Sequence, residues 1–296
     1  MPAIETERLT KFYGSRRGVE EITIAVEQGE VFGFLGPNGA GKTTTIRALL
    51  DLLHPTSGSA RIFGLDSRSE SVAIRARLGN LPGDFGYGKL ATGREAVSLL
   101  ARLRGLSGIG RAAELAERFR ADLERPMGQL SRGNRQKIGL ILAVFHRPDL
   151  LILDEPTSGL DPLMQEEFLA LVREERERGC AVFLSSHELD EVERVCDRVG
   201  IIREGRLVAV ERVSELLGKT PRRVSVQFAE RVDPAALREL PGVSDLEAAG
   251  ERVRFRFAGE IDPLLKAIAR HTLLDLELAR PTLEEVFLTY YQGGTG

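Results

Sequence analysis

Gly36-Pro37-Asn38-Gly39-Ala40-Gly41-Lys42-Thr43 decides the fold. The stretch fits G-x-x-x-x-G-K-[ST], and its surroundings fit as well. The apolar run Val31-Phe32-Gly33-Phe34-Leu35 precedes it, and a helical pattern follows over 43–53 with Pro55 beyond its end. In that context the glycines let successive backbone N–H groups point at phosphate oxygens, while the helix aims its positive end at the same place. Lys42 is placed to reach the β- and γ-phosphates and the Thr43 hydroxyl to ligate Mg²⁺. Gly36, Pro37, Asn38, Gly39, Ala40, Gly41 and Thr44 complete the cradle. A ligand-free glycine-rich turn would not also put Lys-Thr at a helix start. None of Asn38, Asn80 and Asn134 precedes a lysine, so the Asn-Lys-x-Asp base reader typical of GTPases is absent.

Outward from this loop, the first two thirds of the chain alternate β-rich runs with helical patterns. Strands are expected at 22–26, 31–35, 150–153 and 181–184. The last two are short and wholly apolar, as in strands buried on both faces of a parallel sheet. A helical pattern over 163–178 lies between them and completes a βαβ unit. Residues 92–146 read as a helical insertion, with helices expected at 94–103, 112–122 and 131–145. From 219 onward the order is strand, helix, strand, strand, helix, strand, helix, with Gly250-Glu251 as a hairpin turn. That order matches the split βαβ, ferredoxin-like pattern. The expected organisation is therefore an α/β P-loop NTPase domain over 1–218, with its helical insertion, followed by a small α+β domain over 219–296 that ends in a glycine-rich tail.

Composition bounds the alternatives. At about 150 residues per domain, 296 residues allow two domains. Hydrophobic residues at 42% and charged residues at 29% exclude a disordered chain. A net charge of −3 excludes a binder of nucleic acid that relies on bulk positive charge, and no nucleic acid is expected among the partners. No apolar run approaches the roughly 20 residues needed to span a bilayer. The first seven residues, Met1-Pro2-Ala3-Ile4-Glu5-Thr6-Glu7, lack the pattern of a signal peptide. Cys180 and Cys196 are not in a C-x-x-C, so buried free thiols are expected in place of a disulfide or zinc site.

Leu150-Leu151-Ile152-Leu153-Asp154-Glu155 puts two acids at the carboxyl end of a buried strand, where ligands bind in open α/β sheets. Asp154 is placed to hold Mg²⁺, directly or through water, and Glu155 to polarise the attacking water.

With these motifs together, the chain resembles the ATP-binding subunit of an ABC transporter, over about residues 3–215. Leu130-Ser131-Arg132-Gly133-Asn134-Arg135-Gln136-Lys137 resembles the LSGGQ signature, Ser158-Gly159-Leu160-Asp161 the D-loop, His187 the switch histidine, and Tyr13 the aromatic that stacks on adenine. The resemblance implies that Ser131 and the backbone near Gly133 bind the γ-phosphate of ATP held on an opposite protomer. Ser131 equally fits a plain helix N-cap, and both roles can hold. It implies also that His187 senses the γ-phosphate and that Asp161 belongs to the nucleotide interface. One departure stands out. Gly83, after Leu81-Pro82, occupies the place of the family's glutamine, leaving Asp84 or a water to supply that oxygen.

The implied cofactors are ATP and Mg²⁺. The implied partners are a second copy of the chain, giving a homodimer with two ATP sites, and a separate integral-membrane permease. The permease would dock on the 92–146 insertion and the 81–90 loop, which places the chain in the cytoplasm at the inner face of the cell membrane. Pro281-Thr282-Leu283-Glu284-Glu285-Val286-Phe287-Leu288 resembles an ending common in ABC-2-type exporters, including drug-resistance ones. Its domain reads either as a dimer or regulatory contact or as an accessory unit without a ligand. The expected function is ATP hydrolysis driving export of a solute, the alternative being a soluble ABC ATPase of cofactor assembly. A module that binds ATP without turnover is disfavoured by Glu155 and His187.

Overall fold

The computed structural model describes residues 1–83 and 91–292. Asp84 and the 84–90 part of the expected docking loop lie outside the described residues, as does the 293–296 tail. The chain divides into two compact units, Met1–Glu211 and Arg212–Gly296. Set beside the expected division after residue 218, this assigns the helix Val213–Lys219 to the second unit.

The first unit is built on two sheets. Six strands run in the order Arg206–Arg212, Arg198–Arg203, Val31–Leu35, Ala181–Ser186, Leu150–Asp154, Leu78–Leu81. Val31–Leu35 pairs in parallel with both its neighbours, and the last three strands pair in parallel as well. Val31–Leu35, Leu150–Asp154 and Ala181–Ser186 are buried at every position, which explains their unbroken apolar runs. Asp154 lies opposite Ser185, and Leu35 opposite Ser186. The carboxyl ends of these three adjacent strands therefore deliver Gly36, Glu155 and His187 to one edge of the sheet.

The second sheet corrects the expectation of simple β/α alternation. Arg16–Val26, Ile4–Tyr13, Ser57–Ile62 and Leu65–Asp66 pair throughout as antiparallel neighbours. The strand expected at 22–26 is only the end of a longer one, and Ile4–Tyr13 and Ser57–Ile62 were not expected at all. Ile4, Leu9, Ile22 and Val26 of this sheet share one core with Phe32, Phe34 and Phe183 of the other, where Phe32 stacks on Phe183 at 5.8 Å between ring centres. The helix expected over 43–53 spans Lys42–Leu49 and stops ahead of Asp51, which has a positive φ.

The insertion carries three helices, Gly93–Leu103, Gly110–Arg118 and Arg132–Val144. Thr92 and Glu95 form a reciprocal capping box at the first, and Ser131 caps the third. The second stops short of the expected 112–122 span, at a left-handed Arg120.

In the second unit the strands lie in the order Val243–Ala249, Arg252–Phe257, Arg222–Phe228, Leu273–Ala279, all antiparallel. This places the unit's third strand between its first and second, the split βαβ arrangement. The inward residues Val224, Val226, Phe228, Val253, Phe255 and Phe257 pack with Leu237 and Leu264 of the helices Ala235–Arg238 and Ile261–Ile268. The expected 281–288 segment contributes Leu283–Gln292 as a helix, with Leu283 and Val286 buried.

Candidate nucleotide site

A pocket of about 480 Å³ opens over the glycine-rich loop, within the usual range for ligand sites. Tyr13, Pro37, Asn38, Gly39, Gly41, Lys42, Thr43, Thr44 and Glu155 line it. Three further lining residues, Arg16, Arg17 and Gly18, escaped the sequence reading. They return beside Tyr13 because the antiparallel hairpin pairs Tyr13 with Arg16, and Gly14 at φ +60° turns the chain there.

The loop itself is held by close packing. Gly41 has φ +115°, and a Cβ there would lie 2.6 Å from Val19 Cγ1, so only glycine fits. Lys42 starts the helix, is 6% exposed, and donates from Nζ to the Gly36 carbonyl at 2.6 Å. Its Nζ also lies 3.2 Å from Glu155 Oε1, a buried oxygen without a hydrogen bond. The other Glu155 oxygen meets His187 Nδ1, and His187 Nε2 is 3.4 Å from Glu188 Oε1. Lys42 and His187 thus clasp one carboxylate between them. Glu155 reaches this position with φ +52°, a left-handed backbone uncommon outside glycine. Such conformations concentrate at functional sites, where the surroundings hold them.

Asp154 is nearly fully buried. Its Oδ2 accepts from Thr43 Oγ1 at 2.8 Å and its Oδ1 accepts from Ser185 Oγ. A Cβ on Gly83 would lie 3.0 Å from Asp154 Oδ2, so the position expected to carry glutamine does border this carboxylate. Gly83 has no side chain with which to reach it.

Ser131 and Gly133 are not among the residues lining the pocket. Ser131 Oγ accepts from Asn134 N at 3.2 Å, and Asp161 likewise caps its helix by accepting from Met164 N at 3.1 Å. Asn134 uses its side-chain oxygen to accept from Asp122 N at 3.2 Å, inside the helical insertion. Asp161 and Lys137 lie 3.9 Å apart.

A third acid, one missed in the sequence, stands behind the site. Glu191 is buried and accepts from Thr157 Oγ1 at 2.8 Å, while its Oε1 is buried without a hydrogen bond. Burial above all, aided by the charges of Glu188 and Glu155, pushes its carboxyl up to about 7, against the opposing Thr157 bond and His187. The ordinary value is 4.5, so the unfolded chain releases this proton first as pH rises. The stability linked to Glu191 is complete below that value and is lost as pH rises through about 7. Thermal unfolding of Glu191→Gln should therefore show a gain in melting temperature over the parent near pH 8 that shrinks toward pH 5. An equal shift at both pH values would refute the linkage.

Comparison with known proteins places this geometry. Residues 19–158 match the ABC transporter family model. The bacitracin transport ATP-binding protein BcrA of Bacillus licheniformis is 34% identical over 300 residues, covering 99% of this chain and 98% of the relative. The daunorubicin/doxorubicin resistance ATP-binding protein DrrA of Streptomyces peucetius is 39% identical over 220 residues, covering 72% of this chain and 66% of the relative. Among solved structures, an ATP-binding subunit of an ABC transporter aligns with a TM-score of 0.67 at 31% identity, covering 72% of this chain and 91% of that one. A cassette fold, a phosphate loop facing two acids, and a relative that matches from end to end leave one conclusion: the chain belongs to the family of ABC transporter ATP-binding proteins, and it is an ATPase.

Proposed function

We propose that this chain is the motor of an exporter, hydrolysing MgATP in a homodimer to drive a solute out through a separate membrane permease. The observation that carries the reading is the division of the site. Lys42, Thr43 and Glu155 line one pocket, with Asp154 bonded to Thr43 and His187 to Glu155, while Ser131 and Gly133 do not line it. A second copy, related by a two-fold axis, supplies the signature to each pocket, which makes two ATP sites.

Thr43 and Asp154 fit a hard divalent cation, being a hydroxyl and a carboxylate with oxygens 2.8 Å apart. Thr43 and Asp154 would supply the one or two protein oxygens that suit Mg²⁺, which keeps most of its other ligands from water and substrate phosphate. Bound Mg²⁺ neutralises charge on the phosphates. The chain's own residues do the rest. Tyr13 stacks on the base, and the Gly36–Thr44 loop cradles the phosphates with backbone N–H groups. Lys42 and His187 turn from Glu155 to the γ-phosphate, and Glu155, released from both, accepts a proton from the attacking water. Loss of the γ-phosphate removes the link to Ser131 and Gly133 of the opposite copy, and the pair opens.

Export is supported by the end-to-end match to a bacitracin transport protein, second unit included, and by the drug-resistance relative. No helix among the described residues is long and apolar enough to cross a membrane, and in this reading a separate permease carries the solute. The insertion offers Leu99 and Leu103, 43% and 73% exposed on the helix Gly93–Leu103, as docking side chains at the inner face of the membrane. Because Cys180 and Cys196 are buried, a cysteine placed at Leu103 is a selective handle. In the parent organism, Leu103→Cys is expected to cross-link to a membrane-spanning protein. Recovery of the chain only in the soluble fraction, with no such cross-link, would overturn the permease assignment.

A further inference from the structure

The backbone that carries Glu155 is gripped from the signature helix. Gln136 lies on the helix Arg132–Val144, is 6% exposed, and donates from Nε2 to two successive carbonyls, Glu155 O at 3.1 Å and Pro156 O at 2.8 Å. Both partners are acceptors, which fixes the amide with its NH₂ toward them. The first of these carbonyls belongs to the residue with φ +52°. Two further contacts join the start of the helix to the same segment. Arg132 Nη2 donates to Ser158 Oγ at 2.6 Å, and a Cβ on Gly133 would lie 2.5 Å from the Gly159 carbonyl. On the other side Thr157 is tied to Glu191.

We infer that Gln136 is a positioning residue for hydrolysis: from the helix that opens with Ser131 and Gly133, it holds the left-handed turn that aims Glu155. A shift of the signature helix is then felt at the base of the same protomer, so the element that meets one nucleotide also sets the chemistry on the other. The inference rests on Glu155 acting as general base. It assigns no contact with the nucleotide to Gln136.

Gln136→Met keeps the length and packing of the side chain and removes the donor. The expected result is a kcat at least about tenfold lower with KM and the ATP dissociation constant within about twofold of the parent, the mark of an interaction used only in the transition state. A kcat within twofold of the parent, or kcat and affinity falling together, would overturn the inference. Gln136→Glu supplies a second reading, and it decides if the methionine variant does not fold. Its side chain donates only when protonated, so its kcat should fall with rising pH relative to the parent, and a parallel profile counts against the proposal. Glu155→Gln, assayed alongside, separates the two failures. If that variant turns over normally the general base is misassigned. If it is inactive while the Gln136 variants behave like the parent, only the positioning role is wrong.

Discussion

Glu155→Gln is expected to bind ATP as well as the parent or better and to hydrolyse it about 10²- to 10⁴-fold more slowly, the span that a positioned general base contributes. The amide keeps the shape of the carboxylate and tolerates the same backbone, so the fold and the phosphate loop are undisturbed. It cannot take a proton from water. It also ceases to compete for Lys42, whose Nζ lies 3.2 Å from Glu155 Oε1, and for His187 on the other oxygen. Both side chains then turn to the γ-phosphate without opposition, which is why affinity should hold or rise. With binding intact and cleavage stopped, the paired form should accumulate. Phosphate release measures the turnover, nucleotide titration the affinity, and size-exclusion chromatography with ATP against ADP the pairing. Turnover equal to the parent's would remove Glu155 from its assigned role.

The motif-bearing parts of this fold were legible because their physics is local. A glycine-rich loop, a lysine and a helix start are contiguous over 36–43, and the acids at 154 and 155 follow directly on a buried strand. The antiparallel sheet was not legible, and the reason shows in its first strand. Ile4–Tyr13 reads buried, exposed, buried, then breaks step at Glu7 and Arg8, where its register with both neighbours shifts and Arg8 turns to positive φ. The bulge erases the period-2 pattern that marks a strand. Arg16 and Arg17 were hidden for a related reason, since only the hairpin returns them to Tyr13. Gln136 stood in plain view within the signature segment. Its partners are backbone carbonyls 19 and 20 residues away, and no pattern of residue types encodes those. Glu191 could have been suspected as an acid four residues beyond His187, but the bond to Thr157 that explains it exists only in three dimensions.

Lys42→Ala should abolish useful ATP binding, for two separable reasons. The first is the lost donor. Charge-assisted hydrogen bonds contribute roughly 1.5–3 kcal/mol each, so losing two to the phosphates weakens binding by at least about 100-fold. The second is electrostatic. Without Lys42 the buried Glu155 Oε1 loses the cation that lies 3.2 Å away, and its carboxylate faces the incoming phosphates. Like charges at that range oppose binding and deepen the loss. The two contributions separate in a double-mutant cycle. If the repulsion is real, Lys42→Ala with Glu155→Gln binds ATP more tightly than Lys42→Ala alone, although neither turns it over. Equal affinities would confine the effect to the lost donor, and an unchanged affinity in the single variant would remove Lys42 from the phosphate site altogether. Lys42 also donates to the Gly36 carbonyl at 2.6 Å, so thermal melting of each variant must show the loop's domain still folded before its affinity is read.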